Sequence, residues 1–187
     1  MPRVIDILIA ALLLILLSPL ALLLLLLTSP QPIYSHRRIG RNKKPFDCYK
    51  FRTMNNTIQL SLEQQAQLLA TGKLVSDPRI TRLGSFLRRT SIDELPQLYN
   101  VLRGDMSIVG PRPITEQELK RYSHDAQYYL SVRPGITGLW QVSGRSTLNY
   151  DQRIELDKKY VMEQSLMGDV RILLRTIVVV LTGRGAY

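Results

Sequence analysis

Val4-Ile5-Asp6-Ile7-Leu8-Ile9-Ala10-Ala11-Leu12-Leu13-Leu14-Ile15-Leu16-Leu17-Ser18-Pro19-Leu20-Ala21-Leu22-Leu23-Leu24-Leu25-Leu26-Leu27 is the stretch that decides how this chain is built. As a helix rising ~1.5 Å per residue, a run of this length reaches across a hydrocarbon core of about 30 Å. A secretory signal has a shorter apolar core, of about 7–15 residues, and a small-residue cleavage site. Pro19 removes a backbone donor and crowds the carbonyl four residues earlier, which predicts a kink at or just before it. Ser18-Pro19 therefore marks the topology choice between a reentrant hairpin and a straight single span. Arg3 precedes the run, and Arg37, Arg38, Arg41, Lys43 and Lys44 follow it. Cationic flanks prefer the cytoplasm, so a hairpin satisfies both ends where a straight span leaves Arg3 outside. The reading is a membrane hairpin or anchor over residues 1–29 and one cytoplasmic domain over residues 30–187.

The remainder beyond the hairpin has the size of one domain with one modest core. Lys and Arg number 25 against 15 Asp and Glu, a net charge of +10. That excess calls for anionic partners, and membrane attachment favours phospholipid headgroups and phosphorylated small molecules over nucleic acid. Cys48 is the single cysteine, so no internal disulfide forms, and no Cys/His spacing matches a zinc site.

Local patterns predict a mostly helical α+β domain. Residues 29–35 read as a linker, and residues 37–44 as a basic cluster at headgroup depth, where each cation gains about 1 kcal/mol from an anionic leaflet. Phe46–Met54 alternates loosely, as a short strand does. A helix is expected from Asp77-Pro78, with Ile80, Leu83, Phe86 and Leu87 on one face, and a second from Ser91 to Leu102 with Gly104 past its end. Gly110-Pro111-Arg112-Pro113 holds extended backbone around one arginine. Glu116–Leu130 reads as one helix, Val132–Gly144 as a glycine-punctuated loop with at most one strand, and Tyr150–Met162 as an amphipathic helix. Val170–Leu181 is too short to cross a bilayer, so it packs on the core or lies in the interface.

Asp93 and Glu94 open two alternatives. Ser91-x-x-Glu94 fits a capping box. Equally, adjacent carboxylates opposed by Arg88, Arg112, Arg133 and Arg145 suit phosphoryl transfer, since guanidinium forks bind phosphate oxygens and a carboxylate holds a divalent metal or attacks phosphorus. His36 and His124 read as surface residues, Trp140 as a core or interface aromatic, and Asp157 as part of a solvated helix face. No nucleotide-binding glycine loop is present.

Five ordered motifs carry a resemblance: Tyr49-Lys50-Phe51-Arg52-Thr53-Met54, Asp77-Pro78-Arg79-Ile80-Thr81, Asp93-Glu94-Leu95-Pro96-Gln97, Gly110-Pro111-Arg112-Pro113 and Arg133-Pro134-Gly135-Ile136-Thr137-Gly138-Leu139-Trp140-Gln141-Val142-Ser143-Gly144-Arg145. Together with the Ser-Pro break they resemble the bacterial sugar transferases, polyprenol-phosphate phosphoglycosyl transferases that begin assembly of membrane-bound glycans. The resemblance implies Asp93 as nucleophile, Glu94 as its partner in holding Mg²⁺, Arg88, Arg112 and Arg145 on phosphates, and Asp157 as a further substrate-site residue. It also implies a UDP-sugar donor, an undecaprenyl phosphate acceptor and the bacterial inner membrane, with the domain facing the cytoplasm. The extra N-terminal spans of larger hexose-transferring relatives are missing here. Yet Tyr128–Pro134 and the Gly185-Ala186-Tyr187 ending look like those larger enzymes, which leaves the sugar open between a hexose and an N-acetylated amino sugar. The oligomeric state is open as well, a homodimer included. The rival readings are a non-enzymatic, basic, membrane-tethered adaptor and, on charge alone, a membrane-associated nucleic-acid binder.

Overall fold

The computed structural model describes residues 1–28, 31–71, 74 and 76–182. The Gly185-Ala186-Tyr187 ending lies outside them, as do Ser29 and Pro30 of the expected linker. Helix α1 (Arg3–Leu27) is followed by strands β1 (Ile33–Ile39) and β2 (Pro45–Phe51), then helices α2 (Leu62–Thr71), α3 (Arg82–Thr90) and α4 (Gln97–Arg103). Strand β3 (Ser107–Val109), helices α5 (Glu116–Arg121) and α6 (Ala126–Ser131), strand β4 (Gly135–Thr137) and helices α7 (Leu139–Ser143), α8 (Tyr150–Met162) and α9 (Leu166–Thr182) complete it. The fold is α+β and mostly helical, as the patterns predict.

Helix α1 is long and apolar enough to cross a membrane, and it runs as one helical element through Pro19. Proline leaves the carbonyl of Ile15 without its helical donor, and the Ser18 hydroxyl donates to that carbonyl at 2.8 Å. In an apolar surrounding such a replacement donor is what lets a helix keep a proline. Val4, Leu8, Leu12, Ile15, Leu16, Leu22, Leu23 and Leu26 are exposed along one side of the helix.

The other side of α1 belongs to the core of the domain. Ala10 is buried with Phe46, Leu98, Val101, Met106, Ile108 and Ile172, while Leu24 is buried with Phe51 and Leu87. Near its start, Arg3 donates to the carbonyls of Val101 and Leu102 at the end of α4, and the buried Asp6 carboxylate accepts from Ser107 Oγ at 2.8 Å and from Ile108 N at 2.9 Å. Both halves of the helix are thus packed against residues that follow it in the chain.

From Ile33 on, the stretch expected as linker and basic cluster enters a β-hairpin that runs to Phe51. β1 pairs antiparallel with β2, with Tyr34 opposite Lys50 and Arg38 opposite Phe46. Alternation along a strand puts Tyr34, His36 and Arg38 on one face, and all three line the main cavity. The strand lacks a hydrophobic alternation because the face bearing Tyr34, His36 and Arg38 is turned to a polar cavity.

Three helix boundaries also move. α3 starts after Thr81, whose hydroxyl caps Gly84 N at 2.9 Å; Asp77 is occupied by Arg79, at 2.7 Å. The Glu116–Leu130 helix breaks at a 3₁₀ turn, Ser123–Asp125, where Ser123 has φ +46°. The Val132–Gly144 loop holds the short strand β4, parallel to β3, and the helical turn α7. Gly135 sits so close to Gly110 that a Cβ would fall on its backbone nitrogen, so this glycine of the loop serves packing.

If Asp6 serves docking, Asp6→Leu should destabilise the protein by about 2–4 kcal/mol although it makes α1 more apolar, because Ser107 Oγ and Ile108 N lose their buried acceptor. Urea unfolding in detergent micelles measures this. A plain lipid anchor predicts no loss.

Candidate active site

Asp93 and Glu94 sit in a 3₁₀ turn, Ile92–Glu94, between the end of α3 and the start of α4. Ser91, just before it, is in the left-handed region at φ +58° and terminates α3, its N–H donating to the Arg88 carbonyl at 3.2 Å. The capping box Ser91-x-x-Glu94 therefore does not form.

Glu94 faces the hairpin. Lys50 Nζ lies 2.6 Å from Glu94 Oε1 and Arg112 Nη1 lies 3.2 Å from the same oxygen. Burial by itself would raise the Glu94 pKa; the two cations outweigh it and hold the carboxyl well below the usual range. Asp93 is buried at 8% exposure. Burial first and the Glu94 charge second push its pKa up to about 6, against the pull of Lys50, Arg112 and Arg88. One carboxylate is thus fixed as an anion while its neighbour is the more basic of the two.

The pair opens onto a cavity of about 820 Å³, a volume suited to a substrate of nucleotide-sugar size. Its walls carry Arg38, Lys50, Arg52, Arg79, Arg88, Arg112, Arg145 and Arg153 against Asp93, Glu94 and Glu118. Such an excess of cations in one cleft calls for a ligand with several negative charges. Each arginine is held by a specific acceptor: Arg88 Nε donates to Thr53 Oγ1 at 2.8 Å, Arg145 Nη2 to Ser91 Oγ at 3.4 Å, and Arg38 Nη1 to Glu118 Oε2 at 2.9 Å.

A family model described as bacterial sugar transferase matches residues 1–183. The chain belongs to the bacterial sugar transferase family. It is 47% identical over 199 positions to an undecaprenyl-phosphate galactose phosphotransferase of Salmonella typhimurium strain LT2, covering 99% of this chain and 41% of the relative. It is 51% identical over 164 positions to a UDP-galactose-lipid carrier transferase of Erwinia amylovora, covering 83% of this chain and 34% of the relative. With the exopolysaccharide production protein ExoY of Sinorhizobium fredii strain NGR234 the identity is 47% over 197 positions, 99% of this chain and 87% of the relative. The chain thus spans well under half the length of the first two and most of the third.

In this member of the family Asp93, Glu94, Arg88, Arg112 and Arg145, all named from the sequence, line one cavity. Asp157 does not stand on that wall. It is buried on α8, where Tyr122 donates to its Oδ2 at 2.8 Å, and burial pushes its pKa up to about 7. Tyr122 itself lines the cavity, so Asp157 reaches the site through that phenol. The expected solvated face for Asp157 is also corrected, since it is 2% exposed. Arg133 leaves the group too: its Nε donates to the Gly104 carbonyl at 2.8 Å and helps end α4.

Sequence reasoning passed over Lys50, Arg38, Glu118, Ser91 and Thr53, all cavity residues. Lys50 and Thr53 lie inside a motif already quoted, yet nothing in their spacing tells which way they face. His36 is a cavity residue and not a surface one, and Trp140 lines the wall with Arg153 4.8 Å above its ring.

A divalent cation fits this donor set. Among the described residues no group of three or more His, Cys, Asp or Glu gathers as a closed protein cage. Mg²⁺ characteristically uses one or two carboxylates and completes its shell with water and substrate phosphates. The Asp93–Glu94 pair in a phosphate-seeking cleft is of that kind.

Lys50→Gln removes a positive charge that favours ionised Asp93, so the Asp93 pKa should rise from about 6, by roughly one unit. Titration of the aspartate carboxyl carbons by ¹³C NMR reads the shift without turnover; an unmoved or downward shift would refute the electrostatic reading.

Proposed function

We propose that this chain transfers a sugar 1-phosphate from a UDP-sugar to undecaprenyl phosphate, as the membrane step that initiates a polysaccharide or related glycoconjugate. The observation that carries this reading is the buried Asp93, raised in basicity beside a fixed Glu94 anion, at a cavity walled by cations. Relatives whose names specify undecaprenyl phosphate or a lipid carrier with galactose support the substrates, and make UDP-galactose the first donor to test.

The reaction runs in two displacements. An Asp93 carboxylate oxygen attacks the sugar-bearing phosphorus, and the bond from that phosphorus to the bridging oxygen of the diphosphate breaks, releasing UMP and leaving an acyl phosphate on Asp93. A phosphate oxygen of undecaprenyl phosphate then attacks the same phosphorus, the acyl phosphate bond breaks, and Asp93 returns as a carboxylate. Arg88, Arg112 and Arg145 hold the phosphoryl oxygens as charge shifts between them. Mg²⁺ held by Asp93 and Glu94 would neutralise diphosphate charge. Glu94 keeps Arg112 and Lys50 beside the nucleophile, and Ser91 holds Arg145.

In this reading α1 enters and leaves the same leaflet of the inner membrane, and the domain faces the cytoplasm. The support is that Arg3 and Asp6 at one end, and Leu24 at the other, all bind the same domain. That arrangement keeps the cavity at headgroup depth, where the phosphate of a bilayer-bound polyprenol lies.

Purified protein with Mg²⁺, undecaprenyl phosphate and UDP-galactose, or another UDP-sugar of a panel, should release UMP. Asp93→Asn should cut that release by at least about 10³-fold and abolish ³²P labelling of the protein from β-labelled donor. An active Asp93→Asn variant would remove the covalent step, and no UMP from any donor would favour the adaptor reading. For topology, single cysteines at positions 2 and 31 in a Cys48→Ser background should both react with a membrane-impermeant maleimide only from the cytoplasmic face. Labelling of position 2 from the opposite face would establish a single span.

A further inference from the structure

We propose that Thr53 is a positioning residue for phosphate binding: its hydroxyl aims the Arg88 guanidinium into the cavity. The proposal rests on the reading of Arg88 as a phosphate ligand. Thr53 is buried at 6% exposure, and its Oγ1 accepts from Arg88 Nε at 2.8 Å. With Nε engaged there, the edge formed by the two terminal amino groups is the one left to face a phosphate, and that edge matches two phosphate oxygens.

The hydroxyl can act as a fixed reference because the backbone beneath it is clamped to the same helix that carries Arg88. Thr81 N donates to the Thr53 carbonyl at 3.1 Å, and Asn55 N donates to Arg79 O at 2.7 Å. Met54 bridges to Ile80. Gly84, on α3, lies against the Thr53 carbonyl so closely that a Cβ there would collide with it. Thr53 and the first turn of α3 therefore move as one body, and Arg88 at the end of that helix is tied back to it. Arginine is a long, rotamer-rich side chain, and a guanidinium ordered before the ligand arrives loses less freedom on binding.

The test measures binding and turnover on the full chain in lipid nanodiscs. By titration calorimetry, Thr53→Val, which keeps shape and loses the hydroxyl, should weaken UDP binding about tenfold, the usual scale for a hydrogen bond to a charged group. Thr53→Ser should recover most of that affinity. In turnover, Thr53→Val should raise KM for the UDP-sugar more than it lowers kcat. On an Arg88→Ala background, Thr53→Val should cost nothing further, because its effect passes through Arg88. Equal losses in both backgrounds, a Ser variant as impaired as Val, or a Val variant that binds like the parent would each overturn the proposal. Should Thr53→Val fail to fold, Thr53→Ala carries the same comparison. A native chain that binds UDP but releases no UMP overturns the transfer reading and leaves Thr53 to be judged on binding; one that does not bind UDP overturns both.

Discussion

The ion pair between Lys50 and Glu94 is the interaction on which the site turns. It fastens the end of a β-hairpin to a 3₁₀ turn from a distant part of the chain, across 2.6 Å. Arg112 joins from a third segment at 3.2 Å. A buried carboxylate without such partners would take up a proton, and its neighbour would then feel no negative charge. With them, Glu94 stays ionised, and its field adds to burial in making Asp93 a stronger base. Like charges buried side by side are costly, and here the cost falls on two adjacent carboxylates at the wall of a cavity rich in cations.

A second constraint governs how α1 meets the rest of the chain. α1 exposes apolar side chains along one side and packs a specific surface against later parts of the chain with the other. Its sequence resolves the conflict with a few polar groups, each with a partner: Arg3 on the α4 carbonyls, Asp6 on β3, and Ser18 on the carbonyl that Pro19 leaves unbonded. The exposed leucines make up its apolar side, and Leu174, Ile177, Val178 and Leu181 of α9 add further exposed apolar surface. These contacts couple the placement of α1 to that of β3 and α4, and so to the turn that bears Asp93.

Much of this was legible in one dimension. The apolar run, the α8 span from Tyr150 to Met162 and the Gly104 stop of α4 follow from local rules of length, periodicity and left-handed backbone. The acidic pair and its arginines could be singled out because their residue types are chemically marked. The β1 strand escaped because Tyr34, His36 and Arg38 face a polar cavity, so the hydrophobic alternation that betrays a half-buried strand is absent. Asp157 was misread because its flanking lysines advertise a wet face, while packing beneath Tyr122 buries it.

By itself, then, the amino-acid order determined a long apolar helix, a basic α+β chain and an acidic pair accompanied by arginines, because charge, apolarity and helix signals act over a few neighbouring residues. Only tertiary structure decided that α1 is docked along the domain, that Glu94 pairs with Lys50 instead of capping a helix, and that Thr53 holds Arg88. Those outcomes depend on which buried polar atoms find partners far away in the chain, and distance along a sequence carries no record of that.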